Sequence, residues 1–208
     1  MIKVVSNFLS SGGIFMIPLV LCSIVSVAFI LERGFALRRK MVIQEDLKKS
    51  IEDLDLHGSW EQIQQIAQTR NTTLARLICK CLEHLRWSKA ENVESLQTCA
   101  RGEIVALERG LVVLEIIVGI SPLLGLLGTL SGLIVIFNGV AATSLAQEGI
   151  IIARGIAEAL NATVAGLVVA IPSLIAHSYY LKKVETFAAE LENICMDLLA
   201  KLYLNAGQ

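Results

Sequence analysis

Two apolar stretches decide the fold of this chain: PLLGLLGTLSG at residues 122–132 and GIAEALNATVAG at residues 155–166. Both are apolar enough to lie in lipid. Each nevertheless keeps a threonine, Thr129 in the first and Thr163 in the second, and the second also carries Glu158. Because lipid penalises polar groups, those that remain there usually handle ions or hold helices together. Thr129, Thr163 and Glu158 are therefore the first candidates for function.

The composition is typical of a helical membrane protein. Of the 208 residues 54% are hydrophobic, and the mean hydropathy is +0.64, whereas a soluble domain has about 45–50% apolar residues. The excess is concentrated in three uncharged blocks, at residues 13–31, 116–137 and 159–181. Each block is long enough to cross a hydrocarbon core of about 30 Å as a helix. A formal net charge of −1, without a basic stripe, argues against nucleic acid as a partner.

The basic residues predict the direction of the spans. Thirteen of the eighteen Lys and Arg residues lie between residues 32 and 110, and three follow residue 181. By the positive-inside rule these two segments are cytoplasmic, and Lys3 and Arg154 lie toward the other side. The sequence thus predicts a short periplasmic segment (1–12), transmembrane helix 1 (13–31), a cytoplasmic helical region (32–110), transmembrane helix 2 (111–137), a periplasmic loop (138–149), transmembrane helix 3 (150–181) and a cytoplasmic C-terminal helix (182–208).

The cytoplasmic region is expected to be helical, because its apolar residues recur at three- and four-residue spacing. Ser59 and either Thr72 or Thr73 are the expected N-caps. From Asn92 the pattern runs without a breaker into the second span, which predicts one continuous helix. The five cysteines are an odd number without disulfide-like spacing, so buried or unreactive thiols are expected. No metal or cofactor is predicted.

Small residues form a stripe along the second span and another along the third. Such stripes let helix backbones approach closely, which is how membrane helices pack. Two prolines inside the spans each remove a helix hydrogen bond and can kink the helix. In the alternative, which the sequence leaves open, the two threonines serve packing alone, with each hydroxyl bonded to the carbonyl four residues back. The residues assigned to packing and kinking are Gly125, Gly128, Gly132, Gly166, Pro122 and Pro172.

Glu158 is the strongest candidate among the polar residues of the spans. A charged group at the centre of a bilayer costs about 2.5–3.5 kcal/mol on insertion scales, and is tolerated mainly in a cavity or beside a partner. Arg154 lies one turn earlier, so an ion pair within the helix is the alternative. Because Glu158 adjoins the threonine stripe, we favour a functional role for it.

These residues also carry a family resemblance. PLLGLLGTLSGL at residues 122–133 and GIAEALNATVAGLVVAIP at residues 155–172, supported by PLVLCS at residues 18–23 and by Glu32-Arg33, resemble the ExbB/TolQ branch of the MotA/TolQ/ExbB proton-channel family. By position, Thr129 and Thr163 match the threonines that line the pore in that family, and Glu158 matches its intramembrane glutamate. Arg154 departs from the family pattern.

The resemblance implies an all-α integral membrane protein with long cytoplasmic helical extensions, assembled as a pentameric ring in the lipid of a bacterial inner membrane. Such a ring surrounds the single membrane helices of a dimeric ExbD- or TolR-like partner, which brings an aspartate. Proton passage between the aspartate and the threonines turns the partner, and a TonB- or TolA-like transducer carries the force to the outer membrane. Three predicted spans argue against the flagellar branch, whose members usually have four.

Three interpretations of the function follow. The first is a proton-driven motor subunit, in which the ExbB-like and TolQ-like (Tol-Pal) roles, and protons and sodium ions, are not distinguished by these motifs. The second is a non-conducting membrane scaffold whose small-residue stripes only pack. An enzyme is the weakest interpretation, because the sequence has no nucleophile–base pairing, phosphate loop or metal cluster.

Overall fold

A computed structural model describes residues 13–53, 60–141 and 145–206, and within these ranges the chain is helical, without a strand. Three helices are long and apolar enough to cross a membrane, at Met16–Ala36, Leu111–Gly139 and Gly149–Leu204. This confirms the predicted all-α class and the three candidate spans. The helices are α1 (Met16–Ala36), α2 (Arg39–Val42), α3 (Glu45–Glu52), α4 (Trp60–Gln68), α5 (Thr73–Glu83), α6 (Lys89–Glu108), α7 (Leu111–Ala141) and α8 (Leu145–Ala206).

The helices extend beyond several of the predicted bounds. Helix α7 continues to Ala141 and α8 begins at Leu145, so most of the segment predicted as a loop at 138–149 is helical. This stretch holds no proline, and alanine, which recurs in it, is the strongest helix former. Helix α8 then continues without interruption through the third predicted span to Ala206.

The prediction of one continuous helix from Asn92 into the second span is wrong. Helix α6 ends at Glu108, α7 begins at Leu111, and Gly110 between them has a φ of 83°. A residue with this left-handed backbone cannot continue a right-handed helix, and glycine adopts it without a steric penalty. Gly110 is therefore a breaker that the apolar pattern concealed.

The chain forms two compact units. The first comprises residues up to Glu32 together with Gly110–Ser178, and the second comprises Arg33–Arg109 and Tyr179–Gln208. The first unit thus holds most of α1, all of α7 and the first half of α8, which are the apolar helices.

The second unit has a core of aliphatic side chains. Helix α4 packs on α5 and α5 on α6, while α2 and α3 complete the layer against α5 and α4. Glu190 on α8 accepts hydrogen bonds from Arg39 at 2.6 Å and Lys48 at 3.0 Å, which attaches α8 to α2 and α3. The largest fully buried side chains of this unit are Leu37, Ile43, Leu47, Ile51, Ile63, Leu74, Leu77, Ile78, Leu198 and Leu199.

The helix caps agree in part with the sequence. The Thr72 hydroxyl accepts a hydrogen bond from the backbone N–H of Ala75 at 3.3 Å, which confirms it as the N-cap of α5. Ser59 lies outside the described residues. The sequence analysis missed a capping box, in which Ser88 and Glu91 satisfy each other's backbone N–H groups at the start of α6.

All five cysteines lie in the described ranges, and each is a free thiol. Cys81 and Cys195 are buried in the second unit, and burial raises the pKa of each to about 12. Because the thiolate is the reactive form, these two thiols are unreactive at neutral pH. The prediction of buried or unreactive cysteines is confirmed for this pair.

Candidate functional site

Helices α7 and α8 meet along a contact made of glycines, which we call the α7–α8 seam (Gly125, Gly128 and Gly132 on α7; Gly155 and Gly166 on α8). A Cβ atom added at Gly166 would lie 2.6 Å from the carbonyl oxygen of Ser121, and one added at Gly132 would lie 2.7 Å from that of Gly155. No real Cβ comes so close to a backbone oxygen, so both positions require glycine. The order of the contacts makes α7 and α8 antiparallel.

The centre of the seam is equally close. A Cβ at Gly125 would lie 3.0 Å from the carbonyl oxygen of Ala162 and 3.2 Å from Cα of Thr163. A Cβ at Gly128 would overlap the methyl group of Ala162 and would lie 3.8 Å from Cβ of Phe15, just before α1. The start of α1 therefore also reaches the seam.

The two predicted prolines lie inside the long helices, Pro122 in α7 and Pro172 in α8, and both helices continue through them. Each removes one backbone hydrogen bond. Pro122 follows Ser121, whose carbonyl lies against Gly166, and Pro172 precedes Ser173, whose side chain contacts α1.

The candidate threonines lie next to the central contact of the seam, one on each helix. Gly128 and Ala162 meet across the seam, and Thr129 and Thr163 are the residues that follow them. Because α7 and α8 are antiparallel, the residue after each contact residue points to the same side of the seam, so the two threonines share one side. Both are half-buried.

The two hydroxyl groups differ in their hydrogen bonds. Thr129 Oγ1 donates to the carbonyl oxygen of Leu126 at 2.6 Å, three residues back. Thr163 makes no hydrogen bond to any residue of the described ranges. A threonine hydroxyl that donates to its own helix still has lone pairs to accept a proton.

The side chain of Glu158, on α8, lies against the start of α1 and not beside the threonines. A Cβ added at Gly13 would overlap Oε1 of Glu158 and would lie 3.2 Å from its Cδ. Five residues turn an α-helix by about 140°, so Glu158 and Thr163 point to different sides of α8. Within one chain, the structure brings the threonines to a common side and places the carboxylate against α1.

Arg154 does not neutralise Glu158 in this structure. Among the ion pairs of the described residues, none joins these two side chains, and Arg154 is exposed while Glu158 is half-buried. The ion pair within α8, which the sequence left open, is therefore not formed.

The sequence analysis missed a polar contact between α1 and α8. The Ser26 and Ser173 hydroxyl oxygens are 2.6 Å apart, and both residues are buried. Ser173 donates its proton to the carbonyl oxygen of Val169 at 2.7 Å, so Ser26 is the donor to Ser173. Comparing the polar residues of the first and third spans would have suggested the pair. Since Gly13 meets Glu158 and, farther along both helices, Ser26 meets Ser173, α1 and α8 run parallel.

The first unit therefore combines an apolar exterior with a few internal polar groups. Hydroxyls and a carboxylate are groups that can pass protons and coordinate small cations, and hydroxyls also serve helix packing. Among the described residues, no three His, Cys, Asp or Glu side chains are grouped as a metal site.

Comparison with known proteins identifies the family of the chain. The profile of the MotA/TolQ/ExbB proton channel family matches residues 65–193. The biopolymer transport protein ExbB-like 1 of Synechocystis is 34% identical over 176 residues, which are 83% of this chain and 68% of the relative. The ExbB-like 3 protein of the same organism is 32% identical over 168 residues, or 79% of each chain.

A further relative is the biopolymer transport protein exbB1 of Vibrio cholerae, which is 28% identical over 165 residues, covering 78% of this chain and 72% of the relative. These are transport and channel proteins, not enzymes. Together with the three apolar helices, they identify a membrane protein. The chain belongs to the MotA/TolQ/ExbB proton channel family, in its ExbB-like branch.

Proposed function

We propose that this chain is a proton-conducting motor subunit of a bacterial inner membrane, which works with an ExbD-like single-span partner on a TonB-like transducer for outer-membrane transport. The observation that carries the proposal is that Thr129 and Thr163 share one side of the seam between two helices whose candidate membrane spans are mostly apolar. The family of the chain and the names of its relatives, which are biopolymer transport proteins, support the proposal.

In this proposal the threonine side of the seam faces the axis of a homopentameric ring. The family resemblance supports the ring and the partner dimer inside it. A hydroxyl group at the axis can accept a proton, and an aspartate of the partner is the next group that can accept it. Each elementary charge that crosses the membrane field releases about 2.3 kcal/mol per 100 mV, which is enough to bias a conformational step of a few kcal/mol.

The orientation in the proposal follows the basic residues. The second unit carries most of the Lys and Arg side chains and lies in the cytoplasm, so α1 and α8 descend from the periplasm and α7 returns. The parallel course of α1 and α8 and the antiparallel course of α7 are what three successive crossings require.

The test uses the full-length protein, co-expressed with the product of a neighbouring reading frame that has one transmembrane helix bearing an aspartate. The purified complex is placed in liposomes that contain a pH-sensitive dye, and proton flux is measured under an imposed potential. Thr129→Val and Thr163→Val should each abolish the flux while the oligomer still assembles, because valine keeps the shape and removes the hydroxyl.

Thr98→Val is the matched control. Thr98 also donates its hydroxyl to its own helix, to Glu94 O at 3.0 Å, but it is exposed on α6 in the second unit. This variant should conduct as the wild type does. Normal flux in both seam variants would end the assignment of the threonines to the pathway. Native mass spectrometry of the same complex counts the copies, for which we expect five.

A packing-only scaffold is the second candidate, and the Thr129–Leu126 hydrogen bond favours it, since that bond would exist without any conduction. Glu158→Gln separates the two functions because it keeps the shape and removes the charge. A scaffold should assemble and work with this change, whereas the proposed motor should assemble and lose its proton flux.

A further inference from the structure

Gly13 is the residue that leads into α1, and it meets Glu158 directly. Its φ is 72°, a left-handed backbone conformation, and its carbonyl oxygen accepts a hydrogen bond from the N–H of Met16 at 3.2 Å as the helix begins. A Cβ atom here would overlap Oε1 of Glu158 and would lie 3.2 Å from Cδ and 3.5 Å from Cγ. The carboxylate group therefore lies against the bare Cα of Gly13.

The backbone angle favours glycine at this position, and a Cβ atom here would displace the end of the Glu158 side chain. The backbone angle alone disfavours a residue with a Cβ by a factor of about 5–30. The Glu158 side chain occupies the space that the Cβ would need. By contrast, a Cβ atom at Gly149, which lies on the same helix as Glu158, would meet no atom within 4 Å.

The location also suits a carboxylate. The N-terminal end of a helix attracts negative charge through the helix dipole. Glu158 has no ion pair with Arg154, and its carboxylate lies against the residue that precedes α1. The parallel course of α1 and α8 brings the beginning of α1 to this level.

We propose that Gly13 is a positioning residue for Glu158, because its bare Cα just before α1 leaves the space in which the carboxylate lies. A side chain at residue 13 would expel the carboxylate from this place. The importance of this placement for conduction rests on the proposed function, in which Glu158 takes part in proton passage, whereas its geometry does not.

The geometry is tested first, without reference to activity. On a full-length background with Cys22→Ser, the pair Gly13→Cys and Glu158→Cys should form an intrachain disulfide on mild oxidation, detected by mass spectrometry. The pair Ile14→Cys and Glu158→Cys is the control and should not, because the Ile14 side chain is 71% exposed, whereas a Cβ at Gly13 would lie against Glu158. Equal cross-linking of both pairs, or of neither, would contradict the placement of the Glu158 side chain against Gly13.

The functional part uses proton flux in the liposomes described above. Gly13→Ala should assemble and lose proton flux relative to the wild type, whereas Gly149→Ala should conduct normally. Glu158→Asp shortens the side chain by one methylene and should also lose flux. In the double variant the shorter side chain clears the added Cβ, so its flux should exceed the product of the two single effects.

The outcomes distinguish the two proposals. If Glu158→Gln conducts normally, the proposed role of Glu158 in the pathway fails. The cross-link still tests whether the Glu158 side chain lies against Gly13. If Glu158→Gln abolishes flux while Gly13→Ala conducts as the wild type, the pathway stands and the positioning role of Gly13 is wrong. Multiplicative effects of Gly13→Ala and Glu158→Asp would also refute the positioning role, because residues that do not interact act independently.

Discussion

Alanine substitutions along the α7–α8 seam should destabilise the protein in an order fixed by the backbone distances. Ordinary contact begins at 3.4 Å, so a Cβ would force the helices apart by about 0.8 Å at Gly166, about 0.7 Å at Gly132 and about 0.4 Å at Gly125. The nearest atoms are main-chain oxygens, which cannot rotate away as a flexible side chain can. Overpacking of this kind costs about 1–3 kcal/mol.

Gly119 is the matched control on the same helix, since a Cβ there would meet no atom within 4 Å. Alanine is a better helix former than glycine, so Gly119→Ala should be neutral or should stabilise by up to about 1 kcal/mol. For a chain of this length, 1 kcal/mol corresponds to about 2–4 °C in the midpoint temperature of unfolding.

The assay is thermal unfolding of the full-length protein in detergent, followed by circular dichroism. We expect Gly166→Ala and Gly132→Ala to lower the midpoint temperature most, Gly125→Ala less, and Gly119→Ala not at all. The reasoning is refuted if Gly125→Ala is as damaging as Gly166→Ala, or if Gly119→Ala matches either of them. That result would mean that the helices do not meet by their backbones at this seam.

Two further predictions concern other parts of the chain. Ser173→Ala should lower the midpoint temperature more than Ser26→Ala, because it leaves the buried Ser26 hydroxyl without its acceptor, whereas Ser26→Ala leaves Ser173 bonded to its own helix. Hydrogen bonds between membrane helices are worth about 0.6 kcal/mol on average. Equal temperature shifts in the two variants would contradict the assignment of Ser26 as the donor. Burial raises the pKa of Cys81 and Cys195 to about 12, so at about pH 8 only about one thiol in ten thousand is the reactive thiolate. Maleimide labelling of the native protein, mapped by mass spectrometry, should therefore modify the half-buried Cys99 well before these two, and labelling of Cys81 as fast as Cys99 would contradict its burial.

The long apolar helices and their packing residues could be predicted from the sequence for a simple physical reason. In lipid only helices satisfy the backbone, so an uncharged run of sufficient length has one outcome. Small residues at intervals of three and four mark one side of such a helix, and Gly125, Gly132 and Gly166 do lie where α7 and α8 meet. The local pattern thus carried the information about the contact.

Features that depend on a second, distant residue could not be predicted in this way. Gly13 has no pattern of its own, and its constraint arises only when α1 lies parallel to α8 and brings Glu158 against it. The break at Gly110 was concealed because the apolar pattern continues on both sides of it. The place of Glu158 was likewise inferred from its neighbours in sequence, although five residues on a helix separate it from Thr163 by a large angle.

The glycine contacts between α7 and α8 also limit how these helices can move. At Gly125, Gly132 and Gly166 the main chains touch, so neither helix can turn about its own axis without a collision. Thr129 and Thr163 therefore keep a fixed mutual bearing. A change in the side of the bilayer from which these hydroxyls are accessible would therefore need one of two motions. Either α7 and α8 move together as one rigid body, or another helix moves past them while they stay in place.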